Sequence, residues 1–265
     1  MKHRKKKILL FCSALLLLCI FAVAVYHLGQ ANREYRLQEQ AYAKLDAYRP
    51  GRSASGSEHG GQSLSPSDFP NGGSSSGPAP GFLNAEILRL RKDHPNAVGW
   101  ISVPDTGIEF PFVQGEDNEY FLRRDVDGAY LYAGVPFLDY RCAADCSGGN
   151  SIFYGHNLRN GSMFGPLEHF REQDYMTAHP EILIYLETHT VHAQIVACLV
   201  VDPGEKEYLY DLEPGPDHLR KLLSDARCIR QTEIPEAPRY ITLSTCGYEF
   251  NGARIVIVGI VDETT

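Results

Sequence analysis

The hydrophobic positions divide the chain into a long apolar run, a polar middle and a strand-rich remainder. Residues 8–25 carry no charge, and Ser13 is their only clearly polar member. Extended to residue 28, this run reaches roughly 30 Å as a helix, which matches the hydrocarbon core of a bilayer. The pattern therefore predicts one transmembrane helix over residues 8–28.

A cleaved signal peptide is the alternative for this run, with Ala22-Val23-Ala24 as a small-residue cleavage site. The apolar part of a signal peptide is normally about 7–15 residues long. The run in this chain is longer, and no polar stretch precedes the alanines. A retained membrane anchor is therefore favoured.

The polar middle has two parts. Residues 29–49 have a helix-forming composition with sparse apolar positions, which predicts a solvated juxtamembrane helix. Of the 32 residues from 50 to 81, 22 are Gly, Ser or Pro, a composition that cannot bury a core. We expect residues 50–81 to form a flexible linker.

Residues 82–265 are enough for one domain, and short runs rich in β-branched and aromatic residues dominate them. Strands are predicted at 99–103, 108–110, 135–138, 151–154, 182–186, 191–201, 240–243 and 254–261. Asn84 is placed to cap a helix starting at Ala85, and other short helices are predicted at 118–123, 163–170 and 216–226. Many strands with few scattered helices indicate a mainly β fold, either a barrel or a sandwich.

The charge distribution narrows the possible functions. Five of the 25 Lys and Arg residues lie in the basic segment 1–7, which has no acidic residue, so the net charge of −8 becomes −13 without them. A domain this acidic lacks the basic surface that nucleic-acid binding needs. The basic segment itself predicts a cytoplasmic N-terminus, because positive charge stays inside. The remaining chain is then expected outside the cell, at the membrane surface.

The seven cysteines differ in their surroundings. Cys12, Cys19 and Cys198 lie in apolar runs and behave there as small apolar residues. Cys142 and Cys146 share one polar loop, where either a local disulfide or two unpaired thiols is possible outside the cytoplasm. A metal site would need two further ligands, which the sequence does not identify.

Cys246 stands where a buried strand opens into a loop, just before Gly247. Eight residues later, Arg254 begins another strongly apolar strand, where a buried cation is costly without an anionic partner. Two antiparallel strands joined by a short loop bring these two residues side by side. The guanidinium is then able to stabilise a thiolate or a developing oxyanion.

A thiolate nucleophile also needs an acid–base partner for the leaving amine. Among the ten histidines, His156 stands at a comparable strand-to-loop junction, after the apolar residues 152–154 and Gly155. From the residues alone, a catalytic His156–Cys246 pair and a structural histidine beside an ordinary half-buried cysteine both remain possible.

The two junctions together resemble the signature of sortases. The resemblance rests on Tyr154-Gly155-His156-Asn157, on Thr242-Leu243-Ser244-Thr245-Cys246, and on Arg254 at the start of a closing strand. Residues 118–122, 137–140 and 161–167, and the helix-bearing insertion between about 201 and 240, are similar to segments of the class B branch. The resemblance covers about residues 83–262.

The resemblance implies an eight-stranded β-barrel, preceded here by one transmembrane helix, with residues 82–265 as the catalytic domain. It also implies a cysteine transpeptidase that cleaves the C-terminal sorting signal of secreted proteins and joins them to a peptidoglycan amine. Cys246 would be the nucleophile, His156 the acid and base, and Arg254 the oxyanion partner. Asn118 and Ser244 would contact the sorting peptide, although hydrogen bonding at a helix cap or within a strand is an equal alternative. No calcium-binding acidic cluster is evident, so no metal and no cofactor is expected.

Three other functions stay open at this point. One is a cell-wall cysteine peptidase or amidase that hydrolyses its substrate, although related wall hydrolases usually place Cys before His in the chain. Another is a pilus-polymerising sortase, and the third is a non-catalytic wall-binding module. The sorting motif and the amine acceptor depend on loops that the sequence does not position. Family resemblance does not account for the Cys142–Cys146 loop.

Overall fold

The computed structural model describes residues 2–51, 84–215, 217–233 and 235–262. The chain divides into two units, Met1–Lys44 and Leu45–Thr265, which are described separately. Beyond its first two residues, the predicted linker at 50–81 lies outside the described residues.

The first unit is one continuous helix, α1, at Lys2–Leu45. Within the described residues, one helix is long and apolar enough to cross a membrane, and its apolar 18-residue window has a mean hydropathy of 1.7. An apolar helix compatible with the predicted anchor is therefore present. Its orientation in a membrane stays a prediction.

The second unit is built around a β-sheet. Its strands are β1 (Ala97–Val103), β2 (Ile108–Gln114), β3 (Phe137–Leu138), β4 (Asn150–Tyr154), β5 (Glu181–Tyr185), β6 (Thr190–Val201), β7 (Cys228–Ile229), β8 (Tyr240–Cys246) and β9 (Arg254–Val261). They are hydrogen-bonded in the order β5-β1-β2-β3-β4-β8-β9-β6-β7, and β5 also pairs with β6. That extra pairing closes eight strands into a barrel, and β7 extends the sheet from β6. The predicted eight-stranded barrel is confirmed.

Short helices connect the strands. The α-helices are α2 (Ala85–Asp93), α3 (Gln173–Ala178) and α4 (His218–Asp225), and 3₁₀ turns lie at Asp46–Tyr48, Tyr120–Arg123, Gly165–Arg171 and Glu207–Tyr210. Asn84 caps α2 as predicted, since its side chain accepts a hydrogen bond from the backbone N–H of Ile87 at 3.2 Å. The helices predicted near residues 118 and 163 form only 3₁₀ turns.

Leu45, the last residue of α1, and the residues that follow it belong to the second unit and pack within it. Leu45 is buried with Ile87 and Leu90 of α2 in one apolar cluster. Arg49 forms an ion pair with Glu109 of β2 at 2.9 Å. The last part of the predicted juxtamembrane helix thus belongs to the folded domain, which begins before the linker.

The continuous apolar character of β9 follows from burial on both faces. Its six central residues are buried. Val256, Val258 and Ile260 belong to a cluster with Leu219 and Leu222 of α4. The alternate residues of the strand point to the other side, into the barrel. With both faces covered, β9 carries a polar side chain only at its first residue, Arg254.

Candidate active site

Three neighbouring strands end at the same edge of the barrel and bring the predicted catalytic residues together. Strands β4 and β8 are parallel, with Tyr154 paired to Ser244. The antiparallel pair β8–β9 sets Cys246 directly opposite Arg254. His156 lies two residues beyond Tyr154, and Cys246 two beyond Ser244, so both reach the same end of the sheet. This register places His156, Cys246 and Arg254 on neighbouring strand ends.

Cys246 and Arg254 form a directly opposed cross-strand pair. In such pairs the Cβ atoms are about 4.5–5.5 Å apart, which is within reach of a long guanidinium side chain. Arg254 is half-buried, and its Nη1 donates to the carbonyls of Gly252 and Ala253 at 3.2 and 3.1 Å. The backbone thereby holds part of the guanidinium in place, and other N–H groups remain for a ligand because the fork has five donors.

His156 is held against a backbone carbonyl. Its Nε2 lies 2.9 Å from the carbonyl oxygen of Leu122. Since a carbonyl only accepts, Nε2 carries the proton in this contact, and Nδ1 is the ring nitrogen that gains or loses one. Burial lowers the pKa of His156, and the cations Arg123 and Arg254 lower it further against the effect of the Leu122 bond. The imidazole is therefore biased toward its neutral form.

Two glycines make this arrangement possible. A Cβ on Gly155 would lie 2.7 Å from the ring of Phe164, so only glycine fits between Tyr154 and His156. Gly134 has a φ of 63°, and a Cβ there would lie 2.6 Å from the Leu122 oxygen that accepts from His156. Both approaches are tighter than a side chain allows.

Hydrogen bonds connect the loop of His156 to strand β8, which ends at Cys246. The Asn157 side chain donates to the backbone carbonyl of Cys246 at 2.9 Å and to Glu168 Oε1 at 2.6 Å. Thr245 Oγ1 donates to the carbonyl of Gly155 at 2.6 Å. These contacts fix the distance between the loop that carries His156 and the end of β8 that carries Cys246.

A cleft of about 460 Å³ opens beside these residues. Tyr248, two residues after Cys246, lies along it and donates its hydroxyl hydrogen to the carbonyl of Asn157 at 2.8 Å. The other lining residues are Asn157, Leu158, Arg159, Gly161, Gly165, Pro166, Glu168 and His169. The cleft thus adjoins the loop that follows Cys246.

The two predicted substrate contacts are both engaged within the protein. Ser244 is buried, and its hydroxyl lies 3.2 Å from that of Tyr210 in the insertion between β6 and β8. The Asn118 amide donates to Asp139 at 3.0 Å and accepts from the backbone N–H of Tyr140 at 3.1 Å. Ser244 lies on the same strand face as Cys246, because side chains two residues apart in a strand point to the same face. Asn118 instead precedes the turn that contains Leu122, whose carbonyl bonds His156.

The other thiols of the barrel unit differ from Cys246. Cys142 and Cys146 are both free, so no disulfide joins them. Burial raises the pKa of Cys142 and of Cys228, and raises the pKa of Cys146 and of Cys198 to about 12. These four thiols stay protonated at neutral pH, whereas Cys246 is partly exposed beside a cation. Over the described residues, no group of three or more His, Cys, Asp or Glu side chains is arranged to hold a metal.

The family pattern described as the Sortase domain matches residues 101–261, which is more than half of the chain. The chain belongs to the sortase family. It is 30% identical over 186 residues to sortase B of Listeria monocytogenes, covering 68% of this chain and 75% of that protein.

Solved sortase structures agree with this assignment. Clostridium perfringens sortase B matches with a TM-score of 0.62 and 28% identity, over 66% of this chain and 99% of that one. A class B sortase of Streptococcus pyogenes that is involved in pilus biogenesis matches with a TM-score of 0.62 and 26% identity, over 67% and 98%. The predicted resemblance to class B sortases is confirmed, and sortases as a family are cysteine transpeptidases.

Sequence reasoning missed several residues that shape this sortase site. Leu122 acts through its backbone carbonyl, so its side chain carries no signal. Asn157 was recognised only as part of a motif, and its bond to Cys246 depends on the three-dimensional pairing. Tyr248 lies in a loop and Tyr210 ends a short 3₁₀ turn, and in neither place does apolar periodicity or spacing indicate a role.

Proposed function

We propose that this protein is a membrane-anchored cysteine transpeptidase of the class B type, which cleaves a C-terminal sorting signal of secreted proteins and transfers the acyl group to a peptidoglycan amine. The observation that carries the proposal is the meeting of His156, Cys246 and Arg254 at the ends of three neighbouring strands. A nucleophile, an acid–base group and an oxyanion partner are the parts that acyl transfer requires.

In the first half-reaction, Nδ1 of His156 takes up the proton of the Cys246 thiol. The resulting thiolate attacks the scissile carbonyl, and the Arg254 guanidinium stabilises the oxyanion that forms. Collapse breaks the C–N bond and forms a thioester, and His156 donates its proton to the leaving amine. In the second half-reaction, an incoming amine attacks the thioester. His156 takes up its proton, and the thiolate leaves as the new amide forms.

Nδ1 of His156 is the proposed site of both proton transfers, because Nε2 is bonded to the Leu122 carbonyl. The same bond stabilises the imidazolium that forms when Nδ1 is protonated. A lowered pKa makes that imidazolium a stronger acid toward the leaving amine.

For the substrates, Ser244 is proposed to border the sorting peptide, since it shares the strand face of Cys246. Asn118 stays a weaker candidate for the same role, because both ends of its amide are bonded within the protein. The cleft along Tyr248 offers the acceptor amine a route to the thioester that is separate from the Ser244 side.

For the location, α1 is proposed as a single-pass anchor with its basic end in the cytoplasm and the barrel outside. We expect the enzyme in a Gram-positive envelope.

Pilus polymerisation is the second candidate, and it differs only in the amine, which a protein lysine would supply. It is supported by the match to the Streptococcus pyogenes class B sortase of pilus biogenesis. Hydrolysis is the third candidate, in which water takes the place of the amine.

The test incubates the full chain in detergent with fluorescent sorting-peptide libraries, with and without added amine. The wild-type enzyme should form peptide–amine conjugates, and Cys246→Ala should form none while keeping the circular dichroism spectrum. Cys142→Ala removes a half-buried thiol away from the strand ends and should leave conjugation unchanged. Undiminished conjugation by Cys246→Ala would refute the mechanism, and peptide release at an equal rate without amine would indicate a hydrolase.

A further inference from the structure

Asp139 is a fully buried carboxylate that the proposed reaction does not use. It follows β3, and its side chain is 0% exposed. Oδ1 accepts from the backbone N–H and Nε of Arg141, at 3.0 and 2.9 Å. Oδ2 accepts from Arg141 Nη2 at 2.8 Å, from Asn118 Nδ2 at 3.0 Å and from the Tyr154 hydroxyl at 3.1 Å. A buried charge with this many donors holds several chain segments in one place.

Two of the residues that donate to Asp139, Tyr154 and Asn118, belong to the two chain segments that hold His156. Tyr154 is the last residue of β4, two positions before His156. Asn118 precedes the 3₁₀ turn Tyr120–Arg123, which contains the carbonyl of Leu122 that accepts from His156. The strand that carries the imidazole and the turn that orients it therefore share one acceptor atom, Asp139 Oδ2.

The bonds on this acceptor reinforce each other. The Asn118 amide also accepts a hydrogen bond from the backbone N–H of Tyr140. Asn118 therefore binds both the side chain of Asp139 and the backbone of the next residue. The Tyr154 ring stacks on Tyr210 at 6.3 Å between centroids, which fixes the direction of its hydroxyl. Arg141 supplies the positive charge that keeps Asp139 ionised inside the protein. Burial raises the pKa of Asp139, but the hydrogen bonds from Arg141 and Asn118 outweigh it and leave the pKa below its ordinary value.

We propose that Asp139 is a positioning residue for His156: by binding Asn118 and Tyr154 at one oxygen, it fixes the distance between the end of β4 and the Leu122 carbonyl, and so the orientation of the imidazole. This role rests on the proposed function of His156 as acid and base. It assigns Asn118 to the support of the histidine, and it explains why a carboxylate is buried outside the reacting centre.

The test compares two matched hydroxyl deletions. Tyr154→Phe removes one bond to Asp139 Oδ2, while Tyr140→Phe removes an exposed hydroxyl next to the same aspartate. Tyr154→Phe is expected to lower kcat on the order of tenfold with KM nearly unchanged, and to move the His156 limb of the pH–rate profile. Asn118→Ala should act in the same direction, and Tyr140→Phe should behave as the wild type.

Double variants separate positioning from general stability. In an Asp139→Asn background, Tyr154→Phe and Asn118→Ala should each lose most of their separate effect, because the acceptor they share is altered. If Asp139→Asn fails to fold, the Asn118→Ala/Tyr154→Phe pair carries the same test, with a combined loss different from the product of the single losses. Lower melting temperatures with an unchanged kcat and pH profile in the single variants would overturn the proposal.

A readout independent of transpeptidation keeps the two proposals apart. The rate of Cys246 alkylation by iodoacetamide, measured against pH, contains an inflection from the neighbouring His156 that His156→Ala removes. Tyr154→Phe should shift that inflection even if no sorting peptide is joined to an amine. An unshifted inflection in Tyr154→Phe and Asn118→Ala would reject the role of Asp139, whereas absent conjugation by the wild type would reject only the proposed function.

Discussion

The two halves of the candidate active site are positioned by different forces. Cys246 and Arg254 face each other across the β8–β9 ladder, so backbone hydrogen bonds fix their register. His156 lies beyond the last paired residue of β4 and is held by single contacts to a carbonyl, a sulfur and a neighbouring loop. The positions of Cys246 and Arg254 are therefore fixed by many hydrogen bonds between two strands. The position of His156 depends on a few contacts, each of which one substitution is able to remove.

Because of this difference, substitutions in the two halves are expected to impair activity in different ways. A substitution in the β8–β9 half removes a reacting group but leaves its backbone in place, because many other ladder bonds remain. A substitution around His156 leaves every reacting group present and changes only its orientation. The predictions below test this contrast from the largest expected effect to the smallest.

Arg254→Ala should lower kcat by about 10²–10³-fold, which is the range for removal of an oxyanion partner. The reason is that Arg254 is the cross-strand partner of Cys246, while the β9 backbone does not depend on its side chain. Arg254→Lys keeps the charge but loses the planar fork, and should recover only part of the rate. Steady-state kinetics with a sorting peptide and an amine measure both. Full activity of Arg254→Lys would mean that charge alone suffices.

Gly155→Ala should destabilise the fold by about 1–3 kcal/mol, because the new methyl group meets the Phe164 ring at 2.7 Å. Activity should fall further than the loss of folded protein explains, since the shift acts directly on His156. Gly148→Ala is the matched control, because a Cβ there meets nothing within 4 Å. Urea unfolding with parallel activity assays tests this, and equal stabilities of the two variants would contradict the packing argument.

Asn157→Ala should cost about 1–2 kcal/mol of stability and lower kcat several-fold, because it removes the side-chain bond to the Cys246 carbonyl. The backbone contact of Tyr248 with residue 157 remains, so the loop should stay folded. Asn160→Ala, on the exposed part of the same loop, serves as the control. The same kcat in both variants would show that the strand ends alone set the spacing.

The smallest expected effect is a pH dependence of stability. Burial lowers the pKa of His156 in the folded protein below its unfolded value of about 6.5. The unfolded chain therefore binds the proton more readily, so stability is complete above about pH 6.5 and is lost as pH falls through the folded pKa. Thermal unfolding between pH 5 and 8 should show this loss, and His156→Gln should reduce it. The exposed His192→Gln is the control, and an identical slope in both variants would refute the prediction.

The same contrast explains what the sequence made predictable. All eight barrel strands were predicted, because each lies within an apolar run, and the two-residue strand β3 was predicted from the longer run 135–138. The Cys246–Arg254 pairing followed from two strands with a short loop. The two-residue strand β7 and the turn Glu207–Tyr210 were missed, because such short elements have no periodicity.

The support around His156 was predicted only in part. The motif indicated the histidine itself, but its partner is the backbone of Leu122, and any residue type supplies a carbonyl. The need for glycine at position 134 arises from that same oxygen, in a loop whose path the sequence does not specify. The resemblance to a family pointed to the reacting groups, and the coordinates were needed for the residues that orient them.

The topology of the barrel has a consequence for how the protein reaches its active form. Strand β9, the last strand of the described residues, lies between β8 and β6, and the parallel pair β4–β8 joins Asn150 to Tyr240. A chain that emerges N-terminus first therefore leaves the barrel open until its final segment arrives. Pairings between residues far apart in sequence form slowly, because the chain loses the entropy of closing a long loop before the strand contacts stabilise it. The proposed nucleophile, Cys246, and its cross-strand partner Arg254 therefore reach their final positions only when β9 is in place.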